Sequence, residues 1–269
     1  MLSVRLTWTF KIRTFLTIFL KYRFLTPFVK FLFIVLKQEE NLLYLERMIK
    51  RGEVAVDVGA NVGLFTIVLA RLVGPDGMVL AFEPFEASFQ RLRKNVKGPI
   101  RKFKNVNLYN LALGSKDLKV NLNLPRDSRG KVKDSYIYID NQTNGDIDLR
   151  RLDTILKGSE VKISFIKIDV EGSELGVLEG SIATLNKYHP TVLCELSEKW
   201  SARYNSHPRE VKKFMDKLGY ETFSLSGNKL VKFQKEIDFR GGDVFFVWKE
   251  NVEESATKST EGTVMLLLL

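Results

Sequence analysis

The chain has 269 residues, of which 45% are hydrophobic and 28% are charged, and its formal net charge is +10. This composition lies within the globular range, and the length suffices for one α/β domain with an appendage. The single cysteine, Cys194, excludes an internal disulfide framework, and we interpret it as a small core residue of a buried strand. Besides it there are only His189 and His207, so the sequence provides no zinc-type ligand cluster.

The excess positive charge lies in an N-terminal leader. Residues 1–38 contain seven basic residues and no acidic residue, which leaves 35 basic and 32 acidic residues in 39–269, a net charge of +3. This near-neutral body lacks the broad basic footprint that binding to a phosphate backbone requires. We therefore expect no nucleic-acid partner.

The leader is aromatic, aliphatic and basic, and it has two interpretations. Its longest charge-free apolar stretches are well short of the ~20 residues that span a bilayer, and Pro27 should start or kink a second helix. Residues 4–37 therefore predict either helices that cap the domain or a peripheral membrane segment held against anionic lipid headgroups. No small-residue cleavage site follows, which argues against a signal peptide.

The predicted elements divide the chain into three parts. We expect a helical leader over 1–50, one α/β domain over 51–250 and a disordered polar tail over 251–269. Such a protein would be cytoplasmic, or would lie at the cytoplasmic face of a membrane if the leader binds lipid.

Strands and helices alternate through the central part, which predicts a parallel sheet with right-handed crossovers. The predicted strands are 53–59, 78–84, 106–113, 164–170 and 191–196, and the predicted helices are 63–73, 85–96, 174–187 and 208–218. Residues 115–150 interrupt this alternation, because L-K-V-N-L-N-L and S-Y-I-Y-I alternate like antiparallel strands around a polar turn. We predict a β insertion there, and a final antiparallel pair of strands at 220–225 and 243–249.

The first motif is D-V-G-A-N-V-G, Asp57 to Gly63, at a strand-to-helix turn. Glycines at 59 and 63 allow a tight turn and close approach of the backbone to a ligand. The helix that follows directs unpaired N–H groups toward that ligand. A dinucleotide fingerprint would read G-x-G-x-x-G, and this loop lacks the middle glycine. It therefore suits a ligand without a diphosphate, although a merely tight turn would show the same pattern.

Glu83, in A-F-E-P, ends the next predicted strand and lies 20 residues after Gly63. An acid at about this interval can accept hydrogen bonds from both ribose hydroxyls of an adenosine. The alternative is a solvent-exposed glutamate at a strand end.

The third motif is K-I-D-V-E-G-S-E, Lys167 to Glu174. Lys167 and Asp169 fall on one face of a predicted strand, and Glu171 lies just past its end. This is the edge at which a doubly wound sheet binds its ligand, and Glu195, from the neighbouring strand, could add a carboxylate there. The alternative is a structural Lys–Asp ion pair beside a glutamate that caps a helix.

Taken in order, D-V-G-A-N-V-G-L-F-T, A-F-E-P, L-A-L-G, R-L-D-T, I-K-I-D-V-E-G-S-E and V-L-C-E-L resemble the FkbM family of S-adenosylmethionine-dependent methyltransferases. The resemblance runs from about Val54 to Leu225 and includes neither the leader nor the terminal leucines. It implies a Rossmann-like, seven-stranded class I methyltransferase sheet with helices on both faces, to which the β insertion and the helical leader are added. It also implies S-adenosylmethionine as cofactor and a hydroxyl oxygen of a sugar, glycan or other small-molecule or lipid-linked acceptor as substrate.

The resemblance assigns roles residue by residue. The implied cofactor-binding residues are Asp57, Gly59, Ala60, Asn61, Gly63, Glu83, Pro84, Ala112 and Leu113. The motif around Asp57 would hold the methionine end, Glu83 would hold the ribose, and Ala112 and Leu113 would lie near the adenine. Asp169 and Glu171 would face the transfer site.

A sugar hydroxyl is a poor nucleophile at neutral pH, so its methylation needs a base or a metal ion. We expect Asp169 or Glu171 to be the base, with Lys167 tuning the carboxylate. Alternatively, Asp169, Glu171 and Glu195 hold Mg²⁺, which would lower the pKa of the hydroxyl.

The acceptor is expected to contact the insertion and the loop 197–207, since loops at strand ends carry specificity. Trp200, Arg203, Tyr204 and His207 in that loop could stack on or hydrogen-bond a sugar, or could form an ordinary surface loop.

Two other functions compete with methyl transfer. One is a non-catalytic membrane-surface protein on a methyltransferase-like scaffold, which should have a damaged glycine turn or should lack Glu83. The other is an NAD(P)-dependent oxidoreductase, which should have the middle glycine that this loop lacks.

Overall fold

The computed structural model describes residues 39–99, 102–128, 130, 132, 137–143, 145–226, 229–233 and 241–252. The leader segment 4–37 and the tail from 253 onward, for which we predicted helices and disorder, lie outside the described residues. Contacts divide the chain into one unit over Met1–Leu42 and a second over Leu43–Leu269, and the core described below belongs to the second. Within the described helices there is no stretch long and apolar enough to cross a membrane.

An eight-stranded sheet forms the centre of this unit, in the order β3-β2-β1-β8-β9-β12-β10-β11. Its strands are β1 (Val54–Val58), β2 (Met78–Phe82), β3 (Val106–Tyr109), β8 (Ile163–Ile168), β9 (Thr191–Ser197), β10 (Tyr220–Ser226), β11 (Lys229–Lys232) and β12 (Gly241–Trp248). The first five pair in parallel, whereas β12, β10 and β11 are antiparallel to their neighbours. This order contains the predicted seven-stranded class I methyltransferase sheet, with β11 as an added edge strand.

One helix precedes β1, and further helices follow β1, β2, β8 and β9. They are α1 (Glu39–Met48), α2 (Leu64–Val73), α3 (Glu86–Lys97), α4 (Leu152–Ile155), α5 (Glu174–Glu179), α6 (Ile182–Tyr188), α7 (Glu198–Ser201) and α8 (Pro208–Lys217), with 3₁₀ turns at Ala202–Tyr204 and Lys249–Asn251. The central strands β1, β2 and β8 are buried on both faces, as their continuous runs of Val, Ile, Leu and Phe predict.

The segment predicted as a single helix over 174–187 is two helices, so that prediction was wrong. The first helix ends at Gly180, where a Cβ would lie 2.0 Å from the backbone oxygen of Gly114. Asp153 takes part in both ends of the break, since its N–H donates to Gly180 O and its carboxylate accepts from the N–H groups of Ala183 and Thr184. The break therefore comes from packing against another part of the chain, which helix periodicity does not report.

The predicted strand 106–113 is also divided, into β3 and a short β4 (Ala112–Leu113) that belongs to a second sheet. Between them, Asn110 Nδ2 donates to the carbonyl oxygens of Glu83 and Pro84. These bonds fix the chain at the end of β2 and let it leave the large sheet. The correction matters for the site, because it brings β4 to the carboxyl edge of β2.

The predicted β insertion is confirmed as a four-stranded sheet in the order β4-β7-β5-β6. Its remaining strands are β5 (Leu118–Asn123), β6 (Tyr138–Thr143) and β7 (Ile147–Arg150), and β5 pairs antiparallel with both β6 and β7. Strand β6 begins three residues later than the S-Y-I-Y-I segment that we predicted. Its first residues, Tyr138 and Ile139, lie against the site described next.

Candidate active site

A cleft of about 270 Å³ lies where the carboxyl ends of β1, β2, β8 and β9 meet the small sheet. It brings together these residues that the sequence singled out: Gly59, Asn61, Glu83, Pro84, Ala112, Leu113, Asp169, Glu171 and Glu195. It is not lined by these others: Asp57, Ala60, Gly63, Lys167, Trp200, Arg203, Tyr204 and His207. The cleft thus gathers residues separated by more than 130 positions at the sheet edge where α/β proteins bind ligands.

The glycine turn after β1 approaches the neighbouring loop very closely. Gly59 has φ +75°, and a Cβ there would lie 1.9 Å from the backbone oxygen of Asp169. The N–H groups of Gly59 and Ala60 both donate to Phe82 O at 3.0 Å, which joins the turn to the end of β2. A side chain at position 59 would therefore separate the loops that form the floor of the cleft.

Asp57 stabilises the site from beneath and does not line the cleft. It is fully buried, and Thr66 Oγ1 of α2 donates to its Oδ2 at 2.6 Å. Lys167 lies directly opposite Asp57 in the β1–β8 register, with its Nζ 3.9 Å from Asp57 Oδ1. A buried carboxylate needs such partners to offset its desolvation. The structure therefore places Asp57 where it orders β1, α2 and β8 together.

Lys167 is buried and connects Asp57 to the cleft. Its Nζ donates to Asp169 Oδ2 at 3.1 Å and lies 4.8 Å from the ring centroid of Phe65. Burial lowers the pKa of this ammonium, but the charges of Asp169 and Asp57 more than offset that effect and raise the pKa above its usual value. Lys167 thus remains a cation that orients Asp169 at the edge of the cleft. The structural ion pair weighed in the sequence analysis is present.

Glu83 is buried, with 7% of its surface exposed, so it is not the solvent-exposed strand end that the alternative required. Its Oε2 accepts from the N–H of Asn61 and its Oε1 accepts from the N–H of Phe85, both at 2.9 Å. Burial raises the pKa of Glu83 to about 7, against the opposing effect of these two hydrogen bonds. Each carboxylate oxygen has a second lone pair, so Glu83 can hold the loop and still accept from ligand hydroxyls.

The loop after β8 presents Glu171 to the cleft in an unusual conformation. Glu171 has φ +55°, and its buried Oε2 has no hydrogen-bond partner in the described part of the chain. Burial, followed by the charges of Asp169 and Glu195, raises the pKa of Glu171 to about 8, against a lowering effect of Arg203. Glu174 closes the loop, since its Oε1 accepts from the N–H of Gly172 at 2.9 Å. A carboxyl group with a pKa near neutrality is suited to proton transfer.

The loop that we expected to bind a sugar contacts the insertion instead. The guanidinium of Arg203 lies 4.3 Å from the ring centroid of Tyr138 and 4.1 Å from that of Trp200. Tyr204 OH donates to Ile139 O at 3.0 Å. These contacts fasten β6 beside the cleft, so Tyr138 and Ile139, not the loop residues, supply its wall. In the sequence, the strand-like alternation of residues in the insertion was the signal that could have pointed to these two residues.

His207 has a local structural role. Its Nδ1 accepts from the N–H of Arg209, and its own N–H donates to Glu210 Oε2, which together form a capping box at the start of α8. Pro208 occupies the first turn of this helix, where its missing N–H costs nothing.

Metal binding has no geometric support here. Among the described residues, no group of three or more His, Cys, Asp and Glu side chains is arranged to hold a metal ion. Asp169, Glu171 and Glu195 line the same cleft without forming such a group.

The cleft's residues fit an adenosine-bearing ligand. Because Gly59 has no side chain, backbone atoms form the floor of the cleft at this position. Glu83 supplies a buried acceptor, and Leu111, Ala112 and Leu113 supply an apolar wall. Such a combination of a few polar groups within apolar lining is typical of small-molecule sites.

Two known proteins similar to this chain are named methyltransferases. Methyltransferase 1 of Beauveria bassiana (strain ARSEF 2860) is 28% identical over 149 residues, in a match that covers 46% of this chain and 57% of that protein. Methyltransferase sdnD of Sordaria araneosa is 29% identical over 154 residues, covering 46% of this chain and 59% of that protein. The chain therefore spans less than two thirds of the length of either relative.

Among solved structures, methyltransferase FkbM from Methylobacillus flagellatus KT is 18% identical, with a TM-score of 0.44 over 72% of this chain and 43% of that chain. The sequence model of a protein family, the methyltransferase FkbM domain, matches residues 57–222 of this chain. These residues contain the glycine turn, Glu83 and the loop after β8. Since that match covers more than half of the chain, the protein belongs to the FkbM family of methyltransferases.

Proposed function

We propose that this protein is an S-adenosylmethionine-dependent O-methyltransferase that acts on a hydroxyl group of a sugar, glycan or other small-molecule or lipid-linked acceptor. The observation that carries the proposal is the presence of Glu83 and Glu171 in one cleft. Glu83 is a buried acceptor suited to ribose hydroxyls, and Glu171 is a carboxyl group suited to taking a proton.

When bound, S-adenosylmethionine would supply a methyl carbon that its sulfonium activates for in-line displacement. Glu83, Gly59 and Asn61 would hold it, with Ala112 and Leu113 beside the adenine. The protein has then to align the acceptor oxygen and remove its proton.

Glu171 is the better of the two candidate bases. Its carboxylate would take the hydroxyl proton as the acceptor oxygen displaces the thioether sulfur from the methyl carbon, and it would later release that proton to solvent. Its pKa of about 8 makes it a stronger base than an ordinary carboxylate, while a fraction remains ionised at neutral pH. Asp169 is held by Lys167 at 3.1 Å, so it positions the acceptor and does not take the proton.

The cofactor is tested first by calorimetry with S-adenosylmethionine and S-adenosylhomocysteine, with NAD⁺ as control. Saturating ligand at 100 times its Kd should also raise the free energy of unfolding by about 2.7 kcal/mol. Because Glu83 also binds two backbone N–H groups, Glu83→Gln is the variant, and its thermal unfolding is measured alongside. Binding of NAD⁺ instead would favour the oxidoreductase, and no binding by folded protein would favour the non-catalytic scaffold.

The base is tested with Glu171→Gln and Asp169→Asn once an acceptor is identified. Glu171→Gln should bind the cofactor normally and lose turnover by about 100-fold or more. Near-normal turnover of Glu171→Gln would refute the assignment, and loss of turnover in Asp169→Asn alone would favour Asp169 as the base. Sensitivity of the unmodified enzyme to EDTA would favour the alternative in which Asp169, Glu171 and Glu195 act through Mg²⁺.

A further inference from the structure

A basic groove lies at the edge of the large sheet opposite the cleft. The loops that enter β1, β2 and β3 form it, and its volume is about 490 Å³. Four cationic side chains line it, Arg51, Arg71, Lys102 and Lys104, together with the apolar Pro75 and Phe103. Among the described residues, none that lines this groove is acidic. The methyltransferase reaction proposed above uses none of these residues.

Hydrogen bonds of Asn105 hold the scaffold of the groove together. Asn105 Nδ2 donates to Ala70 O at 2.8 Å and to Gly74 O at 2.7 Å, which joins the loop before β3 to the end of α2. Lys102 and Lys104 lie three residues and one residue before this asparagine, and both are exposed. Arg51, Lys102 and Lys104 are therefore open to solvent and ligands, whereas Arg71 is only half-exposed.

The charges in this region are close enough to affect one another. Partial burial, followed by the charge of Lys102, lowers the pKa of Lys97 below its usual value. A simple explanation of the basic residues is attraction to the negative end of α2, and it suffices for Arg71 in the last turn. It does not account for Lys102 and Lys104, because Asn105 already satisfies the carbonyls of Ala70 and Gly74.

We propose that this groove binds the headgroup phosphates of anionic lipids at a membrane surface. Its cations match the negative potential of a leaflet that contains such lipids, and its apolar residues, Pro75 and Phe103, suit the headgroup region. Residues 1–38 also contain seven basic residues and no acidic one, so the charge of this segment, like that of the groove, complements an anionic surface. A groove of four cations on a body of net charge +3 is small for a nucleic acid.

The position of the groove has a consequence for the reaction. The groove opens at the amino edge of the parallel strands, and the cleft opens at their carboxyl edge. Binding of lipid at the groove therefore leaves the cleft open to its acceptor. The inference does not depend on the identity of that acceptor or on the proposed base.

The test is co-sedimentation of the full chain with vesicles of phosphatidylcholine alone and of an equal mixture of phosphatidylcholine and phosphatidylserine. The variant is Lys102→Gln combined with Lys104→Gln. Its control, Lys213→Gln combined with Lys217→Gln, removes two exposed lysines from α8 and loses the same charge. All proteins keep residues 1–38, so any difference between the variants comes from the groove.

Two lysines near an anionic surface should together contribute about a 30-fold gain in affinity. We expect the groove variant to bind the mixed vesicles about 30-fold more weakly and the control to bind about as the unmodified protein does. Equal effects of the two variants, or no effect of either, would overturn the proposal. So would tighter binding to a short RNA duplex than to the mixed vesicles, if the groove variant abolished it. Thermal unfolding and S-adenosylmethionine binding of both variants establish that they are folded.

Discussion

Replacing Gly59 with alanine would add two energetic costs to the folded state, both of which glycine avoids. The first is conformational, because Gly59 has φ +75°, and a left-handed L-residue costs about 1 to 2 kcal/mol. The second is steric, because the added Cβ would lie 1.9 Å from the backbone oxygen of Asp169. That atom belongs to main chain and cannot turn aside as a flexible side chain would, so a forced shift should add about 1 to 3 kcal/mol.

The chain offers a matched control at Gly52. This glycine has φ +85°, and a Cβ there would meet nothing within 4 Å, so Gly52→Ala carries only the conformational cost. We expect Gly52→Ala to lower the free energy of unfolding by about 1 to 2 kcal/mol, and Gly59→Ala by about 2 to 5 kcal/mol. Urea titration at equilibrium measures both losses.

The cofactor supplies a second readout. Gly59 lines the cleft and Gly52 does not, so Gly59→Ala should weaken S-adenosylmethionine binding by more than about tenfold, while Gly52→Ala should leave it unchanged. Equal unfolding free energies and equal affinities in the two variants would refute the reasoning. They would mean that the two loops separate without cost and that the turn's close approach does not shape the cleft.

Three further predictions concern the same unit. Its unfolding free energy should fall as the pH rises from about 5 to 8, by about 3 kcal/mol from Glu83 alone, because the folded protein keeps protons that the unfolded chain releases. Urea midpoints should decrease over this range, Glu83→Gln should flatten the slope, and a rise would contradict the prediction. Tyr204→Phe removes the donor to Ile139 O and should cost about 1 kcal/mol by the same titration; an unchanged midpoint would refute that bond's contribution. Asp153→Ala should cost about 1 to 2 kcal/mol, because Asp153 accepts from two backbone N–H groups at the start of α6, and a loss of helical circular dichroism should accompany it.

The sequence determined the alternation of strands and helices, the position of the glycine turn and the interval to Glu83. These features are local. Hydrophobic period and turn chemistry act over a few residues, and strands joined by helices must be parallel. For the same reason the sequence placed Glu83 and Glu171 at one edge of the sheet, since Glu83 directly follows β2 and Glu171 lies three residues after the end of β8.

Tertiary structure alone decided which side chains meet. Arg203 lies against Tyr138, and Tyr204 binds the carbonyl of Ile139, 65 residues away in the chain, so the insertion and not the loop lines the cleft. The close approach of Gly180 to Gly114 likewise divides a helix that periodicity makes continuous. Such contacts depend on distances between elements that are remote in sequence, and no local pattern of residues encodes those distances. The sequence thus determined the frame that carries the cleft, and packing determined the shape of the cleft and the basic groove at the opposite edge.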